Sequence, residues 1–271
     1  MRNFRRALLG VTAVALALSA SPAEADFVLY NQDFEKPSGF VNNGGDINIF
    51  RSVNDLYGNQ PAGFTFAQAN TVETLLITGN QAFGTGYSDP QKVGGNYTLG
   101  MLSGFNTEND LLGLSFNLLG QNFLNFRLNI SSIDLDRFGG PFNPTSGSVP
   151  AFDIVLFDNP TGATGLSGNG VVLDSARITG LPSSARSVFN WSEHVVALDA
   201  GRATNGNVTV RIDLVSGPSN SRYAALDNFL IVASNTPGAV PEPSTLLLTG
   251  LGVAGLGAFR FARRGAAGPG S

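Results

Sequence analysis

Leu124-Asn125-Phe126-Arg127-Leu128-Asn129-Ile130 and Val208-Thr209-Val210-Arg211-Ile212-Asp213-Leu214 decide the fold class. In both, apolar and polar residues alternate strictly, and a period of two sends one set inward and the other toward solvent. Leu112, Leu114, Phe116 and Leu118 repeat the pattern beside Ser115 and Asn117. Further strand-like runs lie near 26–30, 47–53, 72–78, 97–102, 151–157, 170–178, 188–198 and 223–233, separated by Gly, Asn, Pro and Ser clusters such as 139–150 and 158–170. No stretch before the C-terminal tail keeps a helical period for three turns. Roughly ten or more short strands with turn punctuation predict an all-β domain, a β-sandwich of jelly-roll type. The chain has no internal repeat of the kind a propeller or β-helix needs.

Composition narrows the function classes. The chain has 271 residues, 13% of them charged, with 34 Gly, 20 Phe, one His and no Cys. A disordered chain would be charged and poor in aromatics. Thiol chemistry and Cys-based zinc sites are excluded. Once the three arginines at each end, Glu24 and Glu242 are set aside, the segment 26–239 carries a net charge near −8. That balance gives no footprint for nucleic acid.

The two ends address the protein. Arg2, Arg5 and Arg6 precede an apolar run from Ala7 to Ala20, and Ala23-Glu24-Ala25 fits the small-x-small cleavage rule. Residues 1–25 therefore read as a secretory signal peptide, with Asp26 the new N-terminus. At the other end, Pro241-Glu242-Pro243 leads into an apolar segment, Leu246 to Phe259, closed by Arg260, Arg263 and Arg264. Basic residues after the segment place its C-terminal side in the cytoplasm and the body outside. In this order, triplet, apolar helix and arginine cluster, the tail (240–264) resembles the PEP-CTERM sorting domain of exported proteins from Gram-negative bacteria that make exopolysaccharide. The resemblance implies a transmembrane anchor helix and processing near Pro241, Glu242 and Pro243 by a membrane protease, an exosortase. The short polar stretch 265–271 extends beyond the usual end of such tails.

Gly250-Leu251-Gly252-Val253-Ala254-Gly255 also fits the dinucleotide fingerprint G-x-G-x-x-G. That motif requires a preceding strand, a βαβ unit and an acidic residue about 20 positions on, and none of the 16 residues after Gly255 is acidic. Small residues on a membrane helix account for it.

The body is expected to be one domain, 26–233, followed by a proline-stiffened linker, 234–243. Its first strand runs into Asn31-Gln32-Asp33-Phe34-Glu35, and its last contains Asp227-Asn228-Phe229. These two segments resemble the ends of galactose-binding-like, carbohydrate-binding jelly rolls. In that family a carboxylate from each end holds a structural calcium, which here implies Glu35 and Asp227 as ligands. Ordinary turn carboxylates are the alternative, and no other cofactor is expected.

The remaining chemistry is sparse. Asp134 and Asp136, followed by Gly139, resemble the start of an EF-hand loop, but position twelve is Thr145, which cannot chelate in bidentate fashion. A glycosidase pair could be drawn from Asp33, Glu35, Glu73, Glu193 and Asp227, which would have to face each other at about 5–10 Å. His194 follows Trp191, Ser192 and Glu193, yet no G-x-S-x-G elbow accompanies it. Trp191 and the five tyrosines are candidate stacking surfaces for sugar rings. Asn96, Asn129, Asn190 and Asn207 begin Asn-x-Ser/Thr triplets, read as polar turn and strand residues in a bacterial protein. The expectation is thus an exported, tail-anchored envelope or matrix protein, non-enzymatic, structural or glycan-associating. The alternative is a secreted glycan-cleaving hydrolase on the same scaffold.

Overall fold

The structure, a computed structural model, describes residues 26–40, 56–57, 66–69, 72–77, 87–103, 110–132, 149–183, 185, 188–215 and 222–238. The signal peptide, the run at 47–53, Asp134 and Asp136, the Pro241–Pro243 triplet, the apolar tail and Arg260, Arg263 and Arg264 lie outside the described residues. So does the side chain of Glu73. Among the described residues no helix is long and apolar enough to cross a membrane.

The described residues form eleven strands: β1 (Phe27–Gln32), β2 (Phe66–Ala69), β3 (Val72–Leu76), β4 (Tyr97–Ser103), β5 (Leu111–Asn117), β6 (Phe123–Ser132), β7 (Ala151–Asp158), β8 (Val172–Thr179), β9 (Ser192–Asp199), β10 (Asn207–Leu214) and β11 (Arg222–Ser234). They make two antiparallel sheets. One has the order β3-β4-β11-β6-β9 with β1 added to β11, and the other the order β2-β5-β10-β7-β8. From β4 onward, the chain changes sheet at every step but the β7–β8 hairpin, so that 4-11-6-9 faces 5-10-7-8. That is the interleaved double Greek key of a jelly roll.

The alternation read from the sequence sets the packing. Leu124, Phe126, Leu128 and Ile130 of β6 and Val208, Val210 and Ile212 of β10 are all fully buried in one core between the sheets. Phe229 lies at its centre, with ring centroids 5.1 Å from both Phe34 and Phe126 and edge-to-face geometry in each pair. Each such side chain contributes about 1.5–3 kcal/mol by leaving water, so the core outweighs any surface ion pair.

Three details depart from the sequence reading. Strand β2 was not expected, because Phe66-Ala67-Gln68-Ala69 is too short to show a period. Residues 188–191 do not belong to β9; Phe189 and Trp191 instead form a second apolar cluster with Leu75, Ile77, Tyr87 and Ala225. The chain also does not leave the body at Ser234. Strand β11 includes that residue, and Asn235 to Gly238 remain bonded to the domain.

Candidate functional site: the junction of the first and last strands

Strand β11 is 13 residues long and has β6 along one side. On its other side two shorter strands share the edge: β4 pairs with Arg222–Leu226 and β1 with Phe229–Ala233. The gap between them falls at Asp227 and Asn228, where the β11–β6 register slips. Asn228 adopts the left-handed conformation there (φ 52°), and Phe34, just past β1, does the same (φ 55°). Left-handed backbone at a non-glycine residue costs on the order of 1–3 kcal/mol and collects at functional sites. For a residue as bulky as Phe it is an outlier.

Local hydrogen bonds hold the turn after β1. The Phe34 N–H donates to Gln32 Oε1 (3.0 Å) and the Glu35 N–H to Asp33 Oδ1 (3.1 Å). This turn swings the Glu35 side chain to the start of β4. There its Oε1 accepts the Asn96 N–H (2.8 Å) and the Tyr97 N–H (3.2 Å), while Oε2 accepts the Asn96 side-chain amide (2.9 Å). Gly95, with φ +56°, lies so close that a methyl group would overlap the Glu35 carboxylate. Glu35 thereby fastens the end of β1 to the head of β4.

Asp227 is less well served. It is 1% exposed, and its Oδ1 accepts only the N–H of its own neighbour Asn228 (2.6 Å). Its Oδ2 is buried without a hydrogen-bond partner. The nearby Thr98 hydroxyl donates instead to the Leu226 carbonyl (2.6 Å). Burial pushes the Asp227 carboxyl up to about 8; the charges of Glu35 and Asp33 add to the rise, while the Asn228 N–H opposes it. An orphaned, buried carboxylate oxygen within the electrostatic reach of Glu35 and Asp33 matches the oxygen-ligand chemistry of a hard cation. Among the described residues no three Asp, Glu or His side chains already form a metal cage. Glu35 and Asp227 alone would not complete a calcium shell of about 6–8 oxygens; backbone carbonyls and water would have to supply the rest.

The other candidates are dispersed. Glu193 is exposed on the edge strand β9, across from Asn129 of β6. His194 Nε2 lies 2.9 Å from Ser192 Oγ on the same strand, and burial lowers the imidazole pKa. No carboxylate bonds to its other ring nitrogen among the described residues. Asp227 has the raised pKa of a general acid, but at 1% exposure a sugar oxygen cannot reach it. Trp191 is a correction to the sugar-stacking expectation: it is 3% exposed, stacked on Phe189 with centroids 5.3 Å apart. Tyr30, Tyr57 and Tyr87 are buried too. Of the Asn-x-Ser/Thr asparagines, Asn96 binds Glu35, Asn190 donates to the Pro182 carbonyl and Asn207 accepts from Asn117.

Sequence reasoning named Glu35 and Asp227 as the paired carboxylates but gave Gly95, Asn96, Thr98 and Asn228 no part in the junction. The Gly94-Gly95-Asn96 triplet was the available signal, since consecutive glycines mark close backbone approach.

Residues 239–264 match the family described as the PEP-CTERM protein-sorting motif. No curated protein matches the chain. Among solved structures, the chain is similar to the C-terminal family 22 carbohydrate binding module of Clostridium thermocellum Xyn10B, at 13% identity and TM-score 0.39, covering 79% of this chain and 97% of that one. A "Xylan-Binding Domain from CBM 22" matches at 13% identity and TM-score 0.39 over 77% of this chain and 96% of that one. The K3 cleaved adhesin domain of Lys-gingipain from Porphyromonas gingivalis gives 13% identity and TM-score 0.39, covering 77% and 99%.

Proposed function

We propose that this is an exported envelope protein whose non-enzymatic jelly roll is delivered by its sorting tail. The observation that carries the reading is adjacency: the PEP-CTERM motif begins at residue 239, one position after Gly238, whose N–H bonds Asn125 of the folded body. In this reading the tail first anchors the chain in the inner membrane. An exosortase-type protease then cuts near Pro241-Glu242-Pro243, and the body passes to the envelope or extracellular matrix, where it associates with polysaccharide or serves as a structural component. Of the five candidate glycosidase carboxylates, Glu35 ties the end of β1 to the head of β4 and Asp33 closes the turn before it, which supports a structural role for these two.

Fractionating cells with and without the sorting protease, and weighing the mature chain, tests the delivery. The reading expects a membrane-bound precursor that shortens at the triplet, and release of the body to the periplasm when residues 241–271 are deleted. A truncated chain that still sediments with membrane removes the anchor. Affinity electrophoresis against extracellular polysaccharide tests the association. Hydrolysis abolished by a single Asp or Glu substitution would put the glycan-cleaving alternative in its place.

Calcium belongs to the same proposal. Glu35 and Asp227 would clamp the first and last strands through the ion, and binding to the folded state alone raises stability with ligand concentration. The melting midpoint should rise with calcium over chelator in the wild-type protein, and much less in Glu35→Gln. Equal midpoints in both conditions would leave Asp227 an ordinary buried acid.

A further inference from the structure

Three turns and the end of β11 meet at one end of the sandwich. Residues 118–122 join β5 to β6 there, 159–171 join β7 to β8, 200–206 join β9 to β10, and 235–238 follow β11. Backbone bonds stitch them together. The Leu118 N–H donates to the Gly206 carbonyl (2.8 Å) and the Asn159 N–H to the Asn207 carbonyl (3.0 Å). Asn122 donates to Asn235 Oδ1 from its N–H and its side-chain amide (3.1 and 3.0 Å). Phe27 reaches the same end, paired with Ala233 of β11. Seven large apolar residues are exposed among the described residues, and five of them lie here: Phe27, Val28, Leu119, Val171 and Val172. Leu119 and Val171 are the most exposed, at 54% each.

Leu119 stands where the backbone suits it least. The Gln121 N–H donates to the Leu118 carbonyl (3.0 Å), and Leu119 (φ 55°) and Gly120 (φ 85°) are both left-handed, which makes a type I′ turn. Asparagine or aspartate is favoured at the first of those two positions, and a half-exposed leucine gains little from the fold to offset the strain. Charge is scarce on the same surface. The four segments, 29 residues together, hold one ionisable side chain, Arg202, although 13% of the whole chain is charged and 26–239 is near −8. Acids stand only at the strand margins: Asp26 beside Phe27, buried Asp158, and Asp174 and Asp199, which accept the N–H groups of Ser175, Asp199 and Gly201.

The apolar stretch of the sorting tail begins at Leu246, eight positions after Gly238, and the Gly238 N–H bonds Asn125 Oδ1 near the start of β6. Whatever path the chain takes between them, it spans at most about 29 Å. That is shorter than ten-residue β6 itself, about 33 Å. An anchored tail therefore keeps this end of the body within reach of lipid, and the tether lets a weak contact count by raising its effective concentration. An anionic lipid surface repels a body near −8, and the end without acidic turns is the one that can approach it. We propose that this end is a lipid-contact surface: before processing, Leu119, Val171, Val172, Phe27 and Val28 rest at the headgroup–acyl boundary of the membrane that holds the tail. The inference rests on the reading that the tail anchors the chain.

The chain has no cysteine, so single cysteines report position cleanly. The test places the full chain in vesicles of phosphatidylethanolamine and phosphatidylglycerol, with an environment-sensitive fluorophore on Leu119→Cys, Val171→Cys or Leu181→Cys and a lipid-borne nitroxide as quencher. Leu181 follows the far end of β8 and serves as the distant control. Labels at 119 and 171 should be quenched several-fold more strongly than the label at 181. Leu119→Asn fits the turn better, so in the chain labelled at 171 it should keep or raise the melting midpoint while weakening the quenching; a leucine with only a structural role would leave the quenching where it is. Equal quenching at all three positions, in chains that float with the vesicles, overturns the lipid contact and leaves the anchor standing. A label at 119 shielded from water but not quenched by the nitroxide assigns the surface to a second copy and overturns the lipid contact. A chain that does not float with the vesicles overturns the anchor and the contact with it.

Discussion

Asp158 and Asp227 are both buried aspartates, 4% and 1% exposed, and their environments differ in kind. Asp158 ends β7 and faces the turn between β9 and β10. Its Oδ1 accepts the Thr204 N–H (2.9 Å), and its Oδ2 accepts the Thr204 hydroxyl (2.7 Å) and the Asn169 amide (3.1 Å). Burial alone would push its carboxyl up, but the bonds from Thr204, Asn169 and the Asn159 N–H outweigh it and hold the pKa below the usual value. Asp227 has one short-range donor and two acidic neighbours, and its carboxyl rises to about 8. Burial therefore does not decide the charge of a carboxylate; the donors folded around it do. The Asp158 site is complete, whereas the Asp227 site is complete only with a proton or a cation.

The largest effect that would break this contrast is the pH dependence of stability in chelator. The Asp227 carboxyl is protonated in the folded chain up to about 8 but only to about 3.8 when unfolded. Its contribution is present in full below about pH 4 and is lost as pH rises toward 8, on the order of 5 kcal/mol across the window. Asp227→Asn should flatten that slope, and calcium should reverse the wild-type loss near pH 8. Urea midpoints at pH 5 and pH 8 decide it, and a flat wild-type profile in chelator would place Asp227 alongside Asp158.

Asp158 runs the other way. Its folded pKa lies below the unfolded one, so its stabilisation is present above about pH 4 and disappears as pH falls through the folded value. Asp158→Ala should cost about 3 kcal/mol by stranding the donors of Thr204 and Asn169, measured as a fall in the urea midpoint at pH 7. A loss under about 1 kcal/mol would mean that water replaces the carboxylate.

Gly95→Ala sharpens the comparison from the Glu35 side. The added methyl overlaps the carboxylate, and φ +56° disfavours any side chain. A loss of about 2 kcal/mol is expected, combining left-handed strain with displaced hydrogen bonds, together with weaker stabilisation by calcium. Unchanged calcium dependence would separate Glu35 from the ion. The smallest effect belongs to the surface: Arg177 and Asp153 form a two-pronged pair at 2.6 and 2.7 Å, but both are solvated, and Arg177→Ala should leave the midpoint where it is.

How much of this was legible follows the range of each interaction. Strands β5, β6 and β10 showed in the alternation because the sheet pleat is a local property of consecutive residues. Phe66–Ala69 offered no period, and the run at 188–191 was apolar for another reason, since Phe189 and Trp191 fill a cluster outside the sheet ladder. Trp191 and the buried tyrosines looked like sugar platforms because aromatic content cannot tell which face a ring meets. Asn125 is buried although its position in β6 points it away from the core, because alternation assigns a face without saying what covers it. Glu35 and Asp227 were named as a pair only through resemblance of the chain ends; 192 positions separate them.

By itself, the sequence determined the all-β class, the core face of the principal strands and the address carried by the sorting motif, all of which depend on neighbouring residues and their period. Only the tertiary structure decided that β1 and β4 meet end to end along β11, that Glu35 and Gly95 interlock, that one oxygen of Asp227 is left without a donor, and that Leu119 and Val171 share one end of the sandwich. Each of those depends on which distant strands pair and in what register. A strand's own residues favour pairing in general, but the partner is chosen by how the whole core packs.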